Sequence, residues 1–146
     1  MAGEHRVSGL AVPETLNLLH DLLESVATQH PEVSVEDLML FETAVIEIAG
    51  NVVRHARPQG QVLYEFCLRV QPDRLAATLS DAGEAAFAGA SMPVETEPTG
   101  DDEDDAALAE LPESGRGLDL ARAALDELRY TREDGRNVWH MMRLRR

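Results

Sequence analysis

Apolar residues recur along this chain with two periods, and the switches between them mark its elements. Residues 5–12 read as a short first strand, and Pro13 stands where a first-turn helix proline is tolerated. Leu16, Leu19, Leu23 and Val26 then recur at helical spacing to about His30, and Pro31 breaks that helix. Ser34, with Asp37 three residues on, resembles the N-cap of a long second helix that runs to about Ala56. After a turn at 57–60, Val62, Tyr64, Phe66, Leu68 and Val70 alternate with Leu63, Glu65, Cys67 and Arg69, which predicts a strand. A tight turn at 71–73 leads to a second strand over 75–79, so the two read as a hairpin that ends at Asp81-Ala82-Gly83.

Residues 84–114 carry no clear period and contain Pro93, Pro98, Pro112 and the acidic run 101–105. A stretch this long without regular structure is usually functional or disordered. From Gly117, Leu118, Ala121, Leu125 and Leu128 share one helical face, and strands over 129–132 and 138–144 close the chain around Asp134-Gly135. The order of elements predicts one α+β domain over residues 1–146. It would be a two-layer sandwich with a mixed, mostly antiparallel sheet and three helices on one face.

Composition narrows the function classes. The chain has 146 residues, 44% of them hydrophobic, enough for a core in one domain. Its formal net charge of −14 repels phosphate backbones and anionic lipid, which argues against direct nucleic-acid or membrane binding. All 13 basic residues are Arg, so the lysine of a Walker-type loop and Schiff-base chemistry are both excluded. The single cysteine, Cys67, excludes an intrachain disulfide and a cysteine-cluster zinc site. With no apolar leader or spanning stretch, a cytoplasmic location is expected.

Three short patterns carry candidate chemistry. The helix over 44–53 is almost wholly apolar except for Glu47 and Asn51, which stack one turn apart, with His55 on the same stripe. Polar groups in so apolar a helix need partners, although an edge facing water would serve Glu47 equally well. Asp81-Ala82-Gly83 places a carboxylate at a strand end, where it can accept from an exocyclic amine. Gly83 would let a flat ring approach, but Asp-x-Gly is also an ordinary turn. Gly115-Arg116-Gly117 opens a helix, where exposed N–H groups and the dipole favour an anion; glycines also simply punctuate such junctions.

In this order and spacing the three resemble the histidine-kinase-like (GHKL, or Bergerat-fold) ATPases. Glu47-Ile-Ala-Gly-Asn51-Val-Val-Arg-His55 is similar to the corresponding helix of the anti-sigma-factor serine/threonine kinase branch. Ser114-Gly-Arg-Gly-Leu118 looks like that branch's second glycine box. The resemblance implies the Bergerat ATP-binding fold, with ATP and Mg²⁺ as cofactors and residues 84–114 as the ATP lid. It implies that Glu47 is the general base and that Asn51 gives an amide oxygen to Mg²⁺. It assigns the adenine to Asp81 and Gly83, and the phosphates to Gly115, Arg116, Gly117 and Leu118. His55 would orient the Glu47–Asn51 region or simply pack at the helix end.

The implied function is an ATP-binding anti-sigma factor that sequesters a sigma factor and phosphorylates a serine of a STAS-type anti-anti-sigma partner. A homodimer is implied with it. Ala85 stands where the family usually has Gly or Pro, with Phe87 near an expected aromatic. Glu113 replaces a basic residue of some relatives, which leaves Arg116 as the nearby cation, and the lid is acidic. These departures fit an alternative, a catalytically weak binding protein that acts by sequestration. A third reading is an ATPase domain serving another protein in trans.

Overall fold

The structure is a computed structural model that describes residues 3–58, 60–84, 91–92 and 113–146, with the side chains of 91–92 and 113–117 left aside. Its elements are β1 (Gly3–Leu10), α1 (Glu14–Gln29), α2 (Val35–His55), β2 (Leu63–Val70) and β3 (Arg74–Asp81). They are followed by β4 (Ser91–Met92), α3 (Glu113–Ala124), β5 (Glu127–Glu133) and β6 (Arg136–Leu144). The six strands form one sheet in the order β1-β2-β3-β6-β5-β4. Every described pairing is antiparallel, in keeping with the mostly antiparallel sheet that the element order predicts. Hairpins join β2 to β3 and β5 to β6, and β3 and β6 meet at the centre.

The period-2 pattern puts one face of the sheet inward. Leu68, Ala77, Met141 and Leu128 form one cross-strand row, and Phe66, Leu79, Trp139 and Tyr130 the next; all eight are buried. Leu19, Leu23 and Val26 of α1, Phe41, Ala44, Val45, Ile48 and Ala49 of α2, and Leu118 and Ala121 of α3 cover these rows. The result is an α+β two-layer sandwich with its helices on one face.

Ser34 caps α2 as its spacing predicts, since its hydroxyl accepts from the Asp37 N–H at 3.1 Å. Pro13 precedes α1 as its N-cap with φ −54°. The first strand lies two residues earlier than the pattern suggests. Helix α3 begins at Glu113 rather than Gly117 and ends at Ala124, so Leu128 belongs to β5. Within residues 84–114 the structure adds the edge strand β4, paired to Thr131 and Tyr130. The acidic run 101–105, Ala85 and Phe87 lie outside the described residues.

Candidate functional site

Helix α2 presents its two polar residues in different environments. Asn51 is only 6% exposed, and its Oδ1 accepts from Arg54 Nη2 at 3.0 Å. A guanidinium cation therefore rests on the very oxygen that the motif assigns to a metal. A carboxamide oxygen is a ligand type that a hard ion such as Mg²⁺ prefers, but here the guanidinium occupies it. Glu47, one turn earlier, is half-buried and lines a groove of about 450 Å³ between α1 and α2, with Leu16, His20, Met39 and Glu42 among its neighbours.

His55 ends α2 exposed, and among the described residues no hydrogen bond joins it to Glu47 or Asn51. Partial burial of its ring, then Arg54 and Arg57, hold its pKa below the ordinary imidazole value. Arg54, not His55, is the side chain hydrogen-bonded to Asn51.

At the end of β3, Asp81 is 3% exposed and faces inward. Its Oδ1 accepts from the Gly83 N–H at 2.9 Å and from Asn137 Nδ2 at 3.0 Å. Among the described residues no donor reaches its Oδ2, so that oxygen is available to an exocyclic amine. A Cβ on Gly83 would sit 3.0 Å from Asp81 Oδ1 and 3.4 Å from Val62. The glycine thus gives the folded-back carboxylate room that a Cβ would crowd.

The glycine box lies in the first turns of α3, which packs along α2 and so meets the Glu47–Asn51 helix. Because α3 begins at Glu113, the N–H of Gly115 falls among the first-turn donors that lack an intrahelical acceptor, while those of Arg116 and Gly117 fall past them. The Leu118 side chain is buried in the core at 8% exposure, so a contact with phosphate would have to use its backbone.

Three residues around Asp81 and Asn51 carry no motif: Arg54, Arg132 and Asn137. A signal for Asn137 exists, since it occupies an inward position of a strand whose other inward residues include Trp139 and Met141. Arg54 and Arg132 look like ordinary surface arginines in the sequence.

The histidine kinase-like ATPase domain family matches residues 10–143. The chain belongs to that family. Among curated proteins none matches it. A solved structure with this fold is the crystal structure of the RsbU and RsbW domains of Rv1364c from Mycobacterium tuberculosis, with a TM-score of 0.63 at 15% identity. The likeness covers 99% of this histidine kinase-like ATPase domain and 33% of that chain, so the domain spans about a third of that protein's length. Among the described residues of this family member, no helix is long and apolar enough to cross a membrane. No group of three or more His, Cys, Asp or Glu suited to a metal occurs among them either.

Proposed function

We propose that this ATPase-family domain binds Mg·ATP and acts as a cytoplasmic anti-sigma factor with serine kinase activity. It would phosphorylate a STAS-type partner and sequester a sigma factor, as a homodimer. The observation that carries the reading is Asp81, buried, held on one oxygen by two N–H donors and reached on the other by no donor among the described residues. A solved relative in fold that contains an RsbW domain supports the anti-sigma branch.

In this scheme Asp81 Oδ2 accepts from the adenine amine, and the first-turn N–H groups of α3 face the phosphates. Asn51 and the nucleotide would hold Mg²⁺, which neutralises charge on the transferred group. Glu47 takes the proton of the serine hydroxyl as its oxygen bonds to the γ-phosphorus, and the bond to the β–γ bridging oxygen breaks to release ADP.

The test is calorimetry with Mg·ATP together with transfer of labelled phosphate to STAS proteins. Glu47→Ala should keep nucleotide binding and lose transfer by roughly 10²–10⁴-fold. Asn51→Ala should lose the Mg²⁺-dependent part of binding. Asp81→Asn binding ATP as tightly as the parent would refute the adenine assignment.

The second reading, a binding protein with weak or no kinase activity, is favoured by Arg54 sitting on Asn51. ATP binding without transfer to any STAS partner would support it.

A further inference from the structure

The buried face of the sheet changes character at the C-terminal end of β3. Cross-strand register there sets Tyr64 beside Asp81, Asp81 beside Asn137, and Asn137 beside Arg132. The rows behind it are apolar.

Asn137 is 2% exposed, and its carboxamide uses every hydrogen-bonding position it has. Nδ2 donates to Asp81 Oδ1 at 3.0 Å and to the Glu84 carbonyl at 2.7 Å. Oδ1 accepts from Arg132 Nη1 at 3.0 Å and from the Tyr130 hydroxyl. Turning the amide over would face its N–H groups to a guanidinium and its oxygen to a carboxylate and a carbonyl. Only one orientation satisfies the four partners. Arg132 Nη1 also donates to the Gly83 carbonyl at 3.0 Å, which ties the same guanidinium to the turn beyond Asp81.

We propose that Asn137, set by Tyr130 and Arg132, is the positioning residue that aims Asp81 and thereby makes the site select adenine over guanine. The inference rests on the assignment of Asp81 to the base. Two N–H donors converge on Asp81 Oδ1, one from Gly83 and one from Asn137, and they fix the plane of the carboxylate. Oδ2 is then the acceptor a ligand meets. Adenine brings an amine to such a point. Guanine brings a carbonyl oxygen, and two acceptors facing each other in a buried site are costly. A carboxylate free to rotate would withdraw from that oxygen and lose the discrimination. Asn137 acts through Asp81 and touches no reacting atom.

The experiment measures binding of Mg·ATP and Mg·GTP to the full chain, to Asn137→Leu and to Tyr130→Phe, together with hydrogen exchange of the Gly83 amide without nucleotide. Asn137→Leu should lower the preference for ATP over GTP by roughly 10–100-fold, the worth of a hydrogen bond to a charged group. Tyr130→Phe keeps the ring in the core and should lower it by roughly 3–10-fold, closer to a neutral hydrogen bond. In both variants the Gly83 amide should exchange faster while the protected amides of β3 keep their rates.

Unchanged preference with unchanged Gly83 exchange overturns the proposal. So does a uniform loss of protection through β3 in both variants, which would make the network merely structural. If the parent binds neither nucleotide, the adenine reading fails and the selectivity claim falls with it. Gly83 exchange would then report whether Asn137 holds Asp81 at all.

Discussion

Arg54 reaches back one turn of α2 and donates from Nη2 to Asn51 Oδ1 at 3.0 Å. Under the proposed assignment of Asn51 to Mg²⁺, the metal competes with the guanidinium for that oxygen. Arg54→Ala should therefore lower the Mg²⁺ concentration at half-maximal ATP binding by about fivefold, the equivalent of ~1 kcal/mol for one hydrogen bond. A magnesium titration at fixed ATP checks it; an unchanged or higher midpoint would show that Arg54 does not compete with the metal.

Gly83→Ala tests the folded-back carboxylate. The new Cβ would press on Asp81 Oδ1 at 3.0 Å while touching Val62 at an ordinary distance. Gly83 is buried, but its new Cβ meets only a carboxylate oxygen and one valine at the sheet end, so global stability should fall by ~1 kcal/mol. ATP affinity should fall by roughly 10-fold as Asp81 is displaced from its aim. Denaturant unfolding and calorimetry on the same sample separate the two effects.

Asp37 and Arg143 form a buried ion pair at 3.0 Å, with side-chain exposures of 1% and 7%. It joins the first turn of α2 to the end of β6, and Arg143 Nη1 also satisfies the Ala124 carbonyl at 2.9 Å. Burial alone would raise the Asp37 pKa. The Arg146 backbone N–H, Ser34 and the Arg143 guanidinium overcome it and hold the carboxyl below its ordinary value. Removing either partner should cost ~3–5 kcal/mol, because a buried charge is left uncompensated. Asp37→Leu with Arg143→Met should recover much of that loss, and urea midpoints of the three variants test the coupling.

Acidification should destabilise the fold before Asp37 titrates. Burial, then His30, depresses the His5 pKa; burial, then Arg54 and Arg57, depresses that of His55; burial, then Arg129, depresses that of His140. Each unfolded imidazole binds a proton more readily than the folded one. The stability these groups contribute is present above about 6.5, the unfolded value, and is lost as pH falls below it. His20, raised by its hydrogen bond and charge pairing with Glu42, opposes the trend from an exposed position where screening is strong. The melting temperature should fall between about pH 7.5 and 5.5; a flat or rising profile contradicts the assignment.

The local half of this molecule was legible in the sequence. Ser34 caps its helix, the 62–70 alternation becomes β2, and Glu47 and Asn51 lie one turn apart. These depend on neighbours within a few residues. What the sequence hid depends on register. Asp81 and Asn137 are 56 residues apart and Asp37 and Arg143 are 106 apart, and only the pairing of β3 with β6 and the packing of α2 against the sheet bring them together. The start of α3 was misplaced because Gly115 and Gly117 read as a pre-helical turn, whereas the structure carries the helix through both. Arg54 was invisible because its role is set by a rotamer.

The two buried aspartates carry opposite consequences for anyone redesigning this domain. On Asp37, Oδ1 accepts from Arg143 and Oδ2 from the Arg146 N–H, so both oxygens are spoken for from within the chain. Its neighbourhood is closed chemistry, and an apolar replacement of the pair must also find new partners for the Ala124 carbonyl and the Arg146 N–H. On Asp81 the chain supplies donors to one oxygen alone among the described residues. Under the proposed adenine assignment its other oxygen is the one a ligand reads, and the polar strip of Asp81, Asn137 and Arg132 can be rewritten as a set while the apolar rows behind it go on holding the sheet together.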